Sequence, residues 1–124
     1  MVDDLNHLKR GGRLSAAAAA FGTLLDLKPV LKVSPEGALT VASKEKGRKR
    51  AISYMMNYMR TEVTKDKSMP VVVLSADCDS EAEILIGKIK EEFGEDLNLW
   101  VQPIGPVVGT HCGPGTLGLI FVKE

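Results

Sequence analysis

A strand, a helix and a second strand follow one another between Val71 and Val101, and this order constrains the fold more than any other part of the sequence. Val71-Val72-Val73-Leu74 is a continuous apolar run after a proline, which is typical of a strand covered on both faces. Ser80 to Glu83 fits a capping box that opens a helix, and Gly94 is placed to end it. Two strands joined through a helix are expected to be parallel, with a right-handed crossover. This half of the chain therefore predicts an α/β fold.

Apolar residues at helical spacing predict the buried faces of two helices. In the helix after the capping box, the predicted inner face is Ala82, Leu85, Ile86, Ile89 and Phe93. A longer helix over residues 45–63 is predicted to bury Ile52, Met56, Met59 and Val63. Both helices are expected to pack on the sheet.

The remaining elements are shorter. Helices are predicted over residues 2–10 and 15–25, and the second of these contains five consecutive alanines. Residues 30–33 and 38–42 read as the strands of a hairpin joined by Ser34-Pro35-Glu36-Gly37. Further strands are predicted over 97–101 and 116–122. The fold class is α/β, with a mixed sheet and helices packed on it, in one domain that spans residues 1–124.

Charge and length exclude several classes of function. Lys+Arg and Asp+Glu are equal at 16 each, which argues against the broad positive field of a nucleic-acid-binding protein. No apolar run approaches the ~20 residues of a membrane span, and the start of the chain lacks the pattern of a signal peptide. Cys78 and Cys112 are expected to be free thiols. We therefore expect a cytoplasmic protein.

A glycine-rich stretch from Gly105 to Gly115 carries most of the chemistry. Four glycines and two prolines in eleven residues exclude a regular helix or central strand. Thr110 and His111 in its middle can both donate to an anion, so the loop can hold a carboxylate or phosphate. The alternative is a tight loop in which these two side chains satisfy local backbone groups. The residues alone leave both interpretations open.

The sequence gives less support for a metal site or for a catalytic nucleophile. The only other histidine, His7, lies far away in the sequence, so His111 is a poor metal candidate. Adjacent residues rarely aim at each other, which argues against a catalytic pair of Cys112 and His111. Asp77 and Asp79 follow a predicted strand, where α/β sites often lie. We interpret Asp79 as a helix cap and Asp77 as a loop acid rather than as metal ligands.

Four segments, in order along the chain, resemble the sequence motifs of the DegV family. The first three are similar to its K-G-G-R-[IL]-S, L-L-x-[IL]-K-P-[IL]-L and basic G-R-K/R-K/R-A segments, and the last to its G-T-H-x-G-P-G signature. They are Lys9–Ser15, Leu24–Leu31, Gly47–Ala51 and Gly109–Gly115. The resemblance therefore covers nearly the whole chain.

The resemblance implies a bacterial lipid-binding protein with two lobes, of which this chain is the C-terminal one. Members of the family bind a long-chain fatty acid in a tunnel between the lobes, and some present it to a fatty-acid kinase. By motif match, His111 holds the fatty-acid carboxylate with Thr110 beside it. The implied protein is a carrier rather than an enzyme, with fatty acid as ligand and no cofactor or metal. The N-terminal lobe is absent from these residues, and a homodimer is a further possible arrangement.

An apolar tunnel wall is expected from residues in the N-terminal part of the chain. These are Leu14, Phe21, Leu24 and Leu25. Burying about a dozen methylenes at roughly 0.8 kcal/mol each favours a long acyl tail in such a tunnel. The alternative for each of these residues is a place in an ordinary hydrophobic core.

A basic block of five cations within seven residues lies near the start of a predicted helix: Lys44, Lys46, Arg48, Lys49 and Arg50. The helix dipole disfavours cations at that end. In the family the natural partner for such a patch is the kinase, with Arg48 and Arg50 making the contact. The alternative is a solvated helix start, with Glu45 as local compensation.

Two other functions remain open at this point. The glycine-rich loop can instead hold phosphate in a small phosphotransferase, although no G-x-x-x-x-G-K-[ST] motif is present. The chain can also be an assembly lobe without a ligand of its own. Copurified fatty acid would support the carrier lobe, and Mg²⁺-dependent phosphate transfer would support the phosphotransferase. An oligomer without ligand would support the assembly lobe.

Overall fold

The computed structural model describes residues 1–3, 10, 12, 27–106 and 112–124. The helices predicted over residues 2–10 and 15–25 lie outside these residues, apart from positions 2, 3 and 10. None of the described helices is long and apolar enough to cross a membrane.

The described part of the chain contains five strands and two helices. In chain order they are β1 (Leu27–Val33), β2 (Leu39–Lys46), α1 (Arg48–Glu62), β3 (Val71–Ser75), α2 (Asp79–Phe93), β4 (Leu99–Pro103) and β5 (Leu117–Phe121). The α/β class and the succession of elements after residue 27 are as predicted.

A three-stranded mixed sheet has the order β4-β3-β5. β3 and β4 are parallel and β3 and β5 are antiparallel, with Val73 opposite Val101 on one side and Leu119 on the other. The predicted β-α-β unit is therefore confirmed. Its second strand begins two residues later than predicted, since Leu99 rather than Leu97 is the first paired residue.

The hairpin of β1 and β2 forms a separate two-stranded sheet. Its turn is the predicted one: the Ser34 N–H donates to the Ala38 carbonyl at 2.8 Å and the Gly37 N–H to the Ser34 carbonyl at 2.9 Å. Gly37 has φ +84°, a conformation that residues with a side chain rarely adopt. The strands are longer than predicted, because pairing continues to Leu27 and Lys46.

This longer pairing moves the start of the following helix. Glu45 and Lys46 were predicted to be helical, but they pair with Lys28 and Leu27 as the last residues of β2. Gly47, with φ +84°, then turns the chain into α1. The prediction of a helix starting near residue 45 was wrong because the strand pairing takes those backbone groups.

The two helices bury the faces predicted from their spacing. In α1 the buried residues are Ala51, Ile52, Met55, Met56 and Met59. In α2 they are Ala82, Leu85, Ile86 and Ile89. Val63 and Phe93, the last residue of each predicted stripe, are half-buried against the same core.

The ends of α2 were predicted with unequal success. Gly94 ends the helix as expected, and its N–H donates to the Lys90 carbonyl. The capping box at Ser80 was wrong: the helix begins at Asp79, and its N-cap residue Cys78 makes no side-chain capping bond. The Asp79 carboxylate instead accepts a hydrogen bond from the Ser75 hydroxyl at 3.2 Å.

β3 is covered on one face rather than on two. Val71 and Val73 are buried against the helices, whereas Val72 and Leu74 are half-buried. On that second face Val72 pairs with Trp100 and Ile120, which are 53% and 54% exposed. A continuous apolar run therefore predicted the strand correctly but not the coverage of its outer face.

Candidate functional site

The second half of the glycine-rich loop, residues 112–116, joins the end of β3. The Gly115 N–H donates to the Ala76 carbonyl at 2.6 Å, and the Ala76 N–H donates to the Thr116 carbonyl at 3.0 Å. This pair of bonds holds the loop at the carboxyl end of β3, the side of an α/β sheet where ligands commonly bind. The described end of the loop therefore lies beside the turn that contains Asp77 and leads to Asp79.

The buried side chain of Thr116 is hydrogen-bonded to the backbone of the loop. Its hydroxyl, in a residue only 6% exposed, lies 2.8 Å from the Gly113 carbonyl and 3.1 Å from the Cys112 carbonyl. One hydroxyl proton shared between two carbonyl oxygens ties the start of this segment to its end. The sequence analysis did not single out Thr116.

Arg48 is the centre of a polar cluster around the same loop. Its Nη2 donates to the Gly115 carbonyl at 2.5 Å, its Nη1 to Asp3 Oδ1 at 3.1 Å, and its Nε to the Glu81 carboxylate. The side chain of Arg48 is 20% exposed. Planar guanidinium groups suit such fixed multiple contacts better than lysine does. Arg48 therefore joins the first residues of the chain, both helices and the loop.

Gly115 occupies a position that disfavours any residue with a side chain. Its φ is +84°, and a Cβ there would lie 3.2 Å from the Asp3 Cβ and 3.4 Å from Arg48 Nη1. A side chain would be strained by the backbone conformation and would also crowd the cluster. The last glycine of the G-P-G end of the motif is therefore explained by the close approach of the loop to Arg48 and Asp3.

Both thiols are reduced and neither is activated. Cys78 is buried with its Sγ 3.2 Å from the Thr116 carbonyl, and Cys112 is half-buried. Burial raises the pKa of the Cys78 thiol and likewise the pKa of the Cys112 thiol. Reactive cysteines have lowered pKa values, so these two are placed as structural residues. The prediction of free thiols is confirmed.

Among the described residues, no group of three or more His, Cys, Asp or Glu side chains is placed to hold a metal ion. Asp77, interpreted from sequence as a loop acid, has φ +53° in the turn between β3 and α2. Asp79 is the first residue of α2 rather than its cap.

The cations of the basic block differ in their exposure to solvent. Arg48 faces inward, where Asp3 and Glu81 balance its charge, whereas Arg50 and the neighbouring Lys49 are exposed on the first turn of α1. The first turn of α1 contains no acidic residue. Of the two arginines predicted to dock a partner, Arg50 is thus presented on the surface. The docking role of both stays a prediction.

The other predicted site residues lie outside the described part of the chain. They are Thr110, His111, Leu14, Phe21, Leu24 and Leu25. What the structure adds is a contact at the next residue in the sequence: the carbonyl of Cys112 accepts a hydrogen bond from the Thr116 hydroxyl. No spacing in the sequence indicates that Arg48 meets Glu81, 33 residues away, or that Asp3 approaches Gly115.

Comparison with known proteins places these features in a family. The family model described as "Uncharacterised protein, DegV family" matches residues 1–124. A DegV domain-containing protein of Clostridium perfringens is 37% identical over 123 residues, which are 99% of this chain and 42% of that protein. The chain therefore spans about two fifths of the length of this relative.

Solved structures of DegV-family proteins are also similar to this chain. The crystal structure of DegV from Bacillus subtilis, a fatty acid binding protein, is 36% identical, with a TM-score of 0.74 over 96% of this chain and 42% of that one. The fatty acid kinase B3 protein of Streptococcus pneumoniae, loaded with linoleic acid, has a TM-score of 0.87 over 99% of this chain and 43% of that one. At 18% identity this second likeness supports the fold alone. From the family model, the relatives and the fold together, the chain belongs to the DegV family.

Proposed function

We propose that this chain is the C-terminal lobe of a fatty-acid carrier and that it contributes the loop that holds the fatty-acid carboxylate. The observation that carries the proposal is membership of a family in which a 36% identical protein is described as fatty acid binding. The chain spans 42% of that protein, so the complete carrier includes residues beyond these. In this proposal the protein binds and presents its ligand and catalyses nothing itself, in the cytosol.

The carboxylate is held by His111, with Thr110 beside it. The described end of the loop supports this assignment, because Arg48 and Thr116 hold it at three carbonyl oxygens: those of Cys112, Gly113 and Gly115. Holding these carbonyls fixes the described end of the loop, which reduces the conformational entropy that the loop loses when it binds a ligand. Donors carried on such a loop can therefore fix the position of a carboxylate head group.

The acyl tail lies along an apolar wall that includes Leu14, Phe21, Leu24 and Leu25. Its affinity comes from removing methylene groups from water, and about a dozen of them contribute on the order of 10 kcal/mol before ordering costs. The hydrogen bonds at the head group then set the position of the tail rather than the bulk of the affinity. Substitutions at the loop should thus weaken binding less than shortening the acyl chain does.

A fatty-acid kinase is the proposed partner, and the exposed cations at the start of α1 are its proposed contact. Arg50 and Lys49 are exposed there, whereas Arg48 is engaged by carboxylates. A docking contact made by exposed charges changes mainly the association rate and its dependence on salt. Arg50→Gln should therefore slow association with the kinase at low salt and leave the stability of the carrier unchanged.

The matched variant is Arg48→Gln, which removes the inward-facing charge of the same helix turn. It should lower the stability of the fold, because Asp3, Glu81 and the Gly115 carbonyl lose their shared donor. If Arg50→Gln leaves the association rate and its salt dependence unchanged, Arg50 is not part of the docking surface.

Mass spectrometry of organic extracts tests the carrier function. The purified chain should yield fatty acid near one per chain, and less should be recovered from His111→Ala than from a His7→Ala control. The phosphotransferase alternative predicts instead an empty extract and Mg²⁺-dependent transfer of phosphate from ATP. An empty extract from a folded chain without that activity would assign these residues to an assembly lobe.

A further inference from the structure

The two helices form one outer surface of the molecule, and the exposed charges of the two helices are opposite in sign. The exposed charged residues of α1, a helix described throughout, are all basic: Lys49, Arg50 and Arg60. Along α2, which is also described throughout, one exposed lysine, Lys88, accompanies four exposed acids: Asp79, Glu83, Glu91 and Glu92. The surface therefore has a positive stripe on α1 and a negative stripe on α2.

α1 and α2 lie side by side and run in the same direction. Near their starts, Arg48 pairs with Glu81. Near their ends, the Arg60 Nε donates to Glu92 Oε2 at 2.8 Å. These partners are 33 and 32 residues apart in the sequence. A residue of α1 is therefore level with the residue of α2 about 33 positions later in the chain.

Arg50 and Glu83 are level with each other on the outer margins of this surface. A cleft of about 400 Å³ separates the two helices, and it is lined by residues between 53 and 60 on α1 and between 88 and 92 on α2. Helical geometry turns Arg50 and Glu83 away from this cleft, on opposite sides of it. Among the described residues, neither of the two is in an ion pair.

A second copy of the chain carries the charges that complement this surface. Two copies that pack face to face around a two-fold axis contribute the same patch to the contact. An axis parallel to the helices places α1 of each copy on α2 of the other, so that positive stripes meet negative stripes. An axis across the helices would place each helix on its own counterpart, with like charges facing. Charge complementarity therefore selects the axis parallel to the helices.

We propose that two copies of the chain form a dimer through α1 and α2, related by a two-fold axis that runs parallel to the helices above the cleft. This axis exchanges the two outer margins of the surface without shifting the copies along the helices. It therefore brings Arg50 of each copy over Glu83 of the other. Two Arg50–Glu83 ion pairs, one on each side of the axis, fix the register of the dimer.

Small residues near the centre of the surface allow the helices to approach. Ser53 lines the cleft, and Gly87 is exposed in the middle of α2. Among the described residues, a Cβ at Gly87 would meet nothing within 4 Å, although glycine destabilises an exposed helix relative to alanine. Ile84, one turn away on the same side of α2, is 53% exposed. In the dimer, Ser53 of one copy is level with Ile84 and Gly87 of the other.

The dimer is separate from fatty-acid binding, and two helices per copy bury less surface than a permanent interface does. We therefore expect a weak dimer that salt dissociates, since its ion pairs lie at the exposed margins of the contact. The dimer also covers Arg50, the proposed contact for the kinase. The two partners then compete for that residue, a consequence that rests on the proposed function.

Sedimentation velocity of two charge-reversed chains, alone and mixed, tests the proposal. The unchanged chain should form a dimer whose share rises with protein concentration and falls with added salt. Arg50→Glu and Glu83→Arg should each weaken this dimer by about tenfold or more, because like charges then face each other in both pairs. An equal mixture of the two variants should recover the association. In the mixed dimer the reversed charges face each other, and so do the unchanged ones.

Two further variants control for net charge and for shape. Lys32→Glu changes the net charge as Arg50→Glu does, but on the exposed hairpin, and should leave the dimer unchanged. Gly87→Gln adds an uncharged side chain at the centre of the contact and should weaken the dimer. Thermal unfolding of each variant checks that it is folded.

Other results overturn the proposal. A chain that stays monomeric at every concentration in low salt does so, as does a mixture that associates no better than the separate variants. If the unchanged chain is monomeric and both Arg50→Glu and Glu83→Arg weaken its complex with the kinase, the surface belongs to the kinase instead of a second copy.

Discussion

Arg48 shows, at the scale of a single residue, what a sequence motif can and cannot reveal. The block Gly47–Ala51 was recognised as a family segment, and both arginines in it were assigned to a docking surface. The structure turns Arg48 toward Asp3, Glu81 and Gly115 and leaves Arg50 exposed. Which side of a helix a cation occupies depends on carboxylates distant in the sequence, so the motif alone could not separate the two.

Met1 gives a prediction about pH. Burial lowers the pKa of its amino group from 8.0 to about 6, with Arg48 adding to the effect and the Cys78 and Cys112 thiols opposing it. Between these two values the unfolded chain binds more protons than the folded one, so stability rises with pH through this window. We expect the free energy of unfolding to increase by about 2 to 3 kcal/mol from below pH 6 to above pH 8.

Urea unfolding of the intact and the Nα-acetylated chain across this pH range measures the effect. Acetylation should abolish the increase, because no amino group is left to titrate. His7 and His111 are present in both chains, so their titration cancels in the difference. The same pH dependence in both chains would show that the amino group does not carry it.

Gly115 gives a prediction about close packing. Gly115→Ala should lower the free energy of unfolding by more than Gly37→Ala, although both positions have φ +84°. At Gly37 a Cβ meets nothing within 4 Å, so that variant measures the backbone strain alone, about 1 to 2 kcal/mol. At Gly115 the Cβ also meets Asp3 and Arg48, which adds a packing cost. If both variants lose the same free energy of unfolding in thermal or urea denaturation, Asp3 and Arg48 move aside without cost and the predicted packing contribution is absent.

At the scale of elements, periodicity predicted the buried faces better than the boundaries. Ile52, Met56 and Met59 share one face of α1 because a helix repeats every 3.6 residues whatever surrounds it. The start of α1 was predicted too early because Glu45 and Lys46 pair with β1, and strand pairing depends on tertiary structure rather than on local sequence. Likewise, the continuous apolar run Val71–Leu74 gave no sign that Val72 would face outward beside Trp100.

Two residues on α2 separate core packing from helix propensity. Leu85 is fully buried, whereas its neighbour Ile84 is 53% exposed. Leu85→Ala should destabilise the fold by about 2 to 5 kcal/mol through the cavity it leaves. Ile84→Ala should change stability by about 0.5 kcal/mol or less, as for other surface positions. Similar losses for both variants in chemical denaturation would contradict the packing of α2 against β3.

At the scale of the whole molecule, the parallel β-α-β unit was predictable because crossover connections obey a strong rule. The family was also predictable, because four motifs occur in order along the chain. The contact between Met1 and Leu117, 116 residues apart, was not predictable, since nothing local in the sequence indicates it.

The candidate site divides in the same way. His111 and Thr110 were assigned from the family motif, whereas the supporting residues Thr116, Asp3 and Glu81 emerged only from the structure. The residues assigned to the ligand are adjacent in one short motif, whereas the residues that position the loop come from several elements. Sequence similarity therefore predicts the former more readily than the latter.

The central claim is that the loop of this chain binds a fatty-acid carboxylate through His111, and carbon NMR of carboxyl-labelled oleate tests it most directly. The account predicts a saturable, shifted carboxyl resonance when the chain is added, lost or strongly weakened with His111→Ala and retained with His7→Ala. A carboxyl resonance that never shifts with the folded chain, or that shifts equally with His111→Ala, would contradict it.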